Sequence, residues 1–107
     1  MSDDNWYKFM ASSMIDLSIA IVSYNTKGVL LDCLRSVHAH TTAITFEVIV
    51  VDNDSRDGTA AALKDAYPVM RIVVNSENRG FARAVNQALA VSRGRHVLLL
   101  NSDTIVR

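Results

Sequence analysis

The sequence predicts an α/β fold: an open, Rossmann-like, mostly parallel sheet of about four strands with flanking helices. Two observations carry this. Four short runs rich in valine, isoleucine and leucine recur along the chain, and the segments between them space their apolar residues as helices do. Runs that are apolar throughout, not at alternate positions, suit strands buried on both faces, as in a parallel sheet. The chain has 107 residues, 50% of them apolar, which suffices for one compact core and argues against two domains.

The first strand is read over Leu17 to Ser23, and a helix follows whose apolar stripe is Leu30, Leu31, Leu34 and Val37. Cys33, the single cysteine, sits within that stripe, reads as a small core hydrophobe and has no partner for an internal disulfide. The second strand runs from Phe46 to Asp52. A shorter helix then spans Thr59 to about Tyr67, with Asp57 or Gly58 as its cap and Pro68 as its stop, because proline cannot continue the hydrogen-bond ladder. Met70 to Val74 forms the third strand. Phe81, Val85, Ala88 and Leu89 mark the last helical stripe, Arg93-Gly94 closes it, and His96 to Asn101 is the fourth strand. Strands that alternate with helices at this spacing form parallel units joined by right-handed crossovers.

Residues 15–107 are read as the domain and residues 1–14 as an N-terminal extension. The extension opens with Ser2-Asp3-Asp4 and carries Trp6, Tyr7, Phe9 and Met10, a pattern of neither a signal nor a transit peptide. Its bland reading is a poorly ordered tail, and its sharper one an aromatic clip that docks on the domain or on a second copy. Lysine plus arginine equals aspartate plus glutamate at 11 each, so the basic surplus used to bind nucleic acid or an anionic membrane is missing. No stretch approaches the roughly 20 apolar residues of a membrane span. A reducing, cytoplasmic location is expected, peripheral to the inner membrane face at most.

In an open parallel sheet the ligand lies outside the carboxyl ends of the strands, near the point where strand order reverses. That singles out Ser23-Tyr24-Asn25, Asp52 to Asp57, Asn75 to Gly80 and Asn101 to Thr104. Two of these exits carry aspartates: Asp52, Asp54 and Asp57 at one, Asp103 at the other. Any one of them is an ordinary loop residue satisfying local backbone amides. Gathered at one crevice, they suit magnesium or manganese, which bind through one or two carboxylates with phosphate oxygens and water completing the shell. Neither G-x-G-x-x-G nor G-x-x-x-x-G-K-[ST] follows the first strand, which disfavours nicotinamide cofactors and simple ATPase chemistry. No G-x-S-x-G elbow occurs, and His38, His40 and His96 are not spaced as zinc ligands, so all three read as surface or packing residues.

Four words occur in order: Ser-Tyr-Asn after the first strand, VVDNDSRDGT over Val50 to Thr59, NRGFARAVNQA over Asn78 to Ala88, and LLLNSDT over Leu98 to Thr104. No single word is specific, but the ordered set, spanning nearly all of Leu17 to Val106, resembles the N-terminal, nucleotide-sugar-binding half of the inverting glycosyltransferases of family 2, with the GT-A fold. The bacterial cell-surface branch of rhamnosyltransferases is the nearest likeness, since it favours N-x-G-F-A and an asparagine-led version of D-x-D. The resemblance implies that Tyr24 and Asn25 lie against a nucleoside and that Asp52 and Asn53 contact base and ribose. Asn53 stands where a second aspartate is commoner, yet its amide oxygen still accepts a pyrimidine N3–H, so a UDP- or dTDP-linked sugar remains the implied donor. Arg79, Gly80, Arg83 and Asn86 belong to the segment that would close over ribose and diphosphate, with Arg79 or Arg83 reaching the phosphates. Ser102 and Asp103 end the metal motif, in which Asp103 is the one carboxylate and would bind Mg2+ or Mn2+.

The resemblance also places the general base beyond the metal motif. The sequence stops at Arg107, so no catalytic residue is assigned and no useful turnover is expected from this polypeptide alone. The fourth strand, interior in a full-length sheet, would be uncovered, and self-association as a homodimer is expected through that edge or through the N-terminal segment. Two other readings stand beside the enzyme fragment. One is a non-catalytic α/β binding or receiver-like signalling module, disfavoured by Ser23-Tyr24-Asn25 where acidic residues would be needed. The other is a truncated gene product without activity.

Overall fold

The computed structural model describes residues 15–107. The N-terminal extension and its aromatic clip therefore lie outside the described residues. Four strands, β1 (Leu17–Ser23), β2 (Phe46–Asp52), β3 (Arg71–Val74) and β4 (His96–Asn101), alternate with helices α1 (Lys27–His40), α2 (Thr59–Ala66) and α3 (Phe81–Val91). All strand pairs are parallel and the order is β3-β2-β1-β4. The predicted fold class is the observed one. Leu17 stands opposite both Phe46 and His96, and Asp52 opposite Ser23 and Val74, so the strands leave the sheet nearly level with one another. The polar segments after them consequently form one row.

The alternation of side chains along β1 and β2 explains the layers. Ile19, Ile21, Val48 and Val50 point to one face, where they meet Leu30, Cys33, Leu34 and Val37 of α1 and Leu63 of α2. Ala20, Ile49 and Val51 point to the other and meet Ala84 and Ala88 of α3. Each fully buried leucine or valine stabilises the fold by about 1.5–3 kcal/mol, so most of the driving force lies on the α1–α2 face. The change of face follows from topology: the first two crossovers step one way along the sheet, and the third reverses direction with the same preferred hand.

Three expectations are corrected. The buried stripe of α3 is Ala84 with the expected Ala88, and Val85 is partly buried, whereas Phe81 is 57% exposed and Leu89 is also exposed, because small side chains let the helix approach the sheet and turn the bulkier ones outward. Only β1 and β2 are buried on both faces; β3 and β4 are edge strands, and β4 exposes Val97, Leu98 and Leu99. In α1 Leu31 is only partly buried, while Cys33 is fully buried as expected. The uncovered fourth strand agrees with the sequence reading.

At the end of the sheet away from the strand exits, Glu47 joins two strands. Its Oε2 accepts the Ser18 hydroxyl at 2.6 Å and the Arg93 N–H at 2.6 Å, and the Gly94 N–H donates to Ser18 Oγ at 2.8 Å. Helix α3 has already ended at Val91, so Arg93-Gly94 is the approach to β4 and not the helix stop itself. A Cβ on Gly94 would lie 2.5 Å from the Ser18 backbone nitrogen, so the two segments pass too closely for any side chain. Gly94→Ala is expected to destabilise the domain by about 1–3 kcal/mol, the range for overpacking a rigid contact. Urea unfolding of the two proteins side by side checks this, and equal midpoints contradict it.

Candidate functional site

The first two strand exits are tied to each other through polar side chains. Asn25, at a φ of 52° that asparagine tolerates, accepts the Arg56 N–H on Oδ1 at 2.7 Å, and its own N–H donates to Ser55 Oγ at 2.8 Å. Asp57 bonds the start of two helices at once. Its Oδ2 accepts the Lys27 N–H of α1 at 3.0 Å, and its Oδ1 accepts the N–H of Thr59 at 3.2 Å and the Thr59 hydroxyl, at the start of α2. A carboxylate is favoured there by the partial positive charge of both helix N-termini. The Thr59 hydroxyl foremost, then the Lys27 N–H, hold the Asp57 carboxyl below its ordinary value. Of the two residues predicted as caps for α2, Gly58 occupies the cap position and Asp57 makes the bonds.

The residues expected to touch base and ribose are largely occupied inside the protein. Asp52 is 1% exposed and accepts both the hydroxyl and the backbone N–H of Ser55. Asn53 is 3% exposed; its Oδ1 accepts the Arg79 N–H at 3.0 Å and Asn75 Nδ2 at 3.1 Å, and its Nδ2 donates to the Gly80 carbonyl at 3.2 Å. In these positions the two residues fix the floor beneath the loops. Gly80, at the start of α3, has φ 81° and ψ 165°, a region essentially closed to residues with a side chain. Tyr24 stands half-exposed beside this floor.

Between β1 and β4, where strand order reverses, lies a crevice of about 530 Å3 lined by Val22, Thr26, Val29, Phe81, Leu100, Asn101, Ser102 and Asp103. Thr26 bridges it, because its hydroxyl lies 3.2 Å from Ser23 Oγ and donates to Ser102 Oγ at 3.2 Å. Asp103 differs from the other aspartates of the strand exits. Asp52, Asp54 and Asp57 are bonded to Ser55, Arg56 and the two helix starts, whereas Asp103 has no hydrogen bond or ion pair among the described residues. Among those residues no three His, Cys, Asp or Glu side chains gather closely enough to hold a metal unaided. One free carboxylate beside a hydroxyl does fit a cation whose other ligands are diphosphate oxygens and water. Beneath the crevice, burial foremost, then the nearby Asp103 charge, pushes the Cys33 thiol up, in keeping with an inert core residue.

Arg79, Arg83 and Asn86 are brought together, but on a separate shallow groove of about 360 Å3 with Gln87 and Ala90. Phe81 and Arg83 are two apart on a helix and point to different sides, which explains why one lines the crevice and the other does not. A larger hollow of about 640 Å3, around Phe46, Tyr67 and Met70, lies at the opposite end of the sheet from the strand exits. There His38 packs between Phe46 and Tyr67, with ring centroids 5.5 and 5.2 Å away, a packing role as predicted. Thr26, Ser55, Asn75, Gln87 and the exposed Phe81 were not foreseen as site residues. A weak signal existed for the first two, since each follows a strand exit by three residues. Asn75 opens the third strand exit and Gln87 lies in the third motif, but their pairing was not readable, because Gln87 and Asn53 reach Asn75 from other elements.

A doubly wound α/β domain with its crevice at the switch point is thereby defined. A family model, Glycosyl transferase family 2, matches residues 18–107, and the chain belongs to that family. It is 34% identical over 95 residues to the succinoglycan biosynthesis protein ExoO of Rhizobium meliloti (strain 1021), covering 86% of this chain and 26% of that protein. It is 37% identical over 90 residues to the uncharacterized glycosyltransferase YfnE of Bacillus subtilis (strain 168), covering 82% and 23%. The crystal structure of S. aureus TarS 1–349 in complex with UDP superposes with a TM-score of 0.72 at 25% identity, over 83% of this chain and 28% of that one. The chain thus spans about a quarter of these proteins and matches the N-terminal, Rossmann-like half of the GT-A fold. No helix among the described residues is long and apolar enough to cross a membrane.

Because the Asp57 carboxyl is lowered in the folded state, its stabilisation is complete above the ordinary carboxylate pKa of about 3.9 and is lost as pH falls through the lower folded value. Asp57→Asn cannot accept from both helix starts. It should be less stable than the parent at neutral pH and lose less stability on acidification. Thermal unfolding of both proteins from pH 7 to pH 3 checks the sign, and parallel curves contradict it.

Proposed function

We propose that this chain is the donor-binding part of a glycosyltransferase that holds a nucleotide-diphosphate sugar, UDP- or dTDP-linked, at the crevice between β1 and β4. The observation that carries this reading is Asp103, the strand-exit aspartate left without a partner among the described residues and standing on that crevice. Family membership and the likeness to a UDP-bound structure support it. In this reading Tyr24 offers an aromatic face to the base. Asn25, Asp52 and Asn53 hold the walls against which base and ribose rest, and Gly80 lets the backbone of the loop come close to the ribose. Arg79 or Arg83, which line the separate groove with Asn86, is the cation that would reach across to the diphosphate. Asp103, assisted by the Ser102 hydroxyl, would hold Mg2+ or Mn2+. That cation would offset the charge that builds on the departing diphosphate in an inverting transfer.

The general base that takes the acceptor's proton is not assigned to any residue of this chain. The asparagine-led Asn101-Ser102-Asp103 supports a place in the rhamnosyltransferase-like branch, with a glycan of the cell surface as acceptor. Calorimetry of UDP- and dTDP-sugars with Mn2+ is expected to show binding by the parent. Asp103→Ala should lose the Mn2+-dependent part, about tenfold or more in Kd, equivalent to about 1.4 kcal/mol. Equal metal-dependent binding by both proteins removes Asp103 from the site.

We propose further that the outer edge of β4 pairs two copies of this chain. Val97, Leu98 and Leu99 are exposed there, and an apolar strand edge is a template for another strand. Light scattering should report a dimer whose fraction rises with concentration, and Leu98→Lys should shift it to monomer. A monomer at every concentration refutes the pairing, and a dimer that persists in Leu98→Lys but not after deletion of residues 1–14 moves it to the N-terminal segment.

A further inference from the structure

A chain of three side-chain amides runs from the exit of β2 to the middle of α3. Asn75 and Gln87 form a closed pair: Asn75 Nδ2 donates to Gln87 Oε1 at 2.8 Å, and Gln87 Nε2 donates to Asn75 Oδ1 at 2.9 Å. Asn75 Nδ2 also donates to Asn53 Oδ1 at 3.1 Å, which fixes the orientation of the Asn53 amide. So oriented, Asn53 accepts the Arg79 N–H and donates to the Gly80 carbonyl, gripping one turn by a donor and an acceptor of the same peptide region. Asn53 and Asn75 are 3% and 4% exposed, and no buried side-chain nitrogen or oxygen among the described residues lacks a partner. A closed amide network of this kind has one arrangement that satisfies every member, so it specifies geometry more than it adds stability.

We infer that Asn75 and Gln87 are positioning residues of the donor site, acting through Asn53 to set the Arg79–Gly80 turn. The inference also accounts for the amide at position 53. A carboxylate there would still accept from Arg79 and Asn75, but it would set an oxygen against the Gly80 carbonyl at 3.2 Å, where the amide now donates. The turn would then be held on one side only. Arg79 carries its guanidinium from this turn and Gly80 begins α3, so both the cation and the helix N-terminus take their place from the amide chain. The role rests on the donor-site reading above, while the grip on the turn does not.

Gln87→Ala tests this at a half-buried helix position where alanine preserves the helix, and Asn53→Asp tests the donor directly. Amide hydrogen exchange at Arg79, the unfolding temperature and the Kd for UDP with Mn2+ are measured on the full 107-residue chain. For Gln87→Ala we expect exchange at Arg79 to quicken and Kd to weaken about tenfold each, while the unfolding temperature falls by only several degrees, about the loss of the Asn75–Gln87 pair, and the protein stays folded. Asn53→Asp, if folded, should show the larger change in exchange at Arg79. Parent-like exchange in Gln87→Ala overturns the grip on the turn. Faster exchange with parent-like affinity overturns its role in binding. A parent that binds no nucleotide overturns the donor-site reading, and exchange at Arg79 still decides whether the amides hold the turn.

Discussion

The reversal of strand order at β1 is the constraint on which the rest of this structure depends. With β2 and β3 on one side of it and β4 on the other, the crossover helices cannot all lie on the same face. The helices that follow β1 and β3 diverge from their starting points, and the exits of β1 and β4 are left with no helix between them. The level register of the strands then gathers four polar segments around that gap. The crevice is thus a product of chain topology, and side chains only furnish it.

Those polar segments are fastened to one another more than to the core. Asn25 to Ser55 and Arg56, Asp57 to the starts of α1 and α2, and Asn53 to Asn75, Arg79 and Gly80 are ties between loops from different strands. Each net hydrogen bond contributes about 0.5–1.5 kcal/mol, less than one buried leucine. Their effect lies in direction: they set where exposed groups such as Tyr24 and Arg79 stand, while the apolar clusters on the two faces supply the stability. Ser18 and Glu47 perform the same fastening at the opposite end of the sheet.

Much of this was legible in the sequence, for physical reasons that also mark the limits. The strands were readable because central parallel strands are apolar at successive positions, as in Val48 to Val51. The uncovered edge of β4, with Val97, Leu98 and Leu99 exposed, was expected from the family resemblance and not from composition, since a strand's residues encode the sheet it suits and not the neighbours it has. The face of α3 was misread at Phe81 and Leu89, though not at Ala88, because large side chains outweigh alanine on any hydrophobic scale, while the contact between helix and sheet belongs to Ala84 and Ala88. At the site, the aspartates and asparagines were found by type and spacing. Which are already bonded, as Asp52 is to Ser55 and Asp57 is to Thr59 and the distant Lys27 N–H, and which has no partner among the described residues, as Asp103 has none, is set by how the loops fold and not by residue type.

Gly80 has a consequence of another kind. Nothing lies within 4 Å of the place where its Cβ would be, so no neighbour excludes a side chain there. The exclusion comes entirely from the backbone torsion. Trimming an adjacent residue cannot relieve a replacement at this position, since there is no crowding to relieve. Second-site suppressors would have to reshape the turn itself, and with it the orientation of α3, so the position offers evolution almost no route of repair that leaves the crevice as it is.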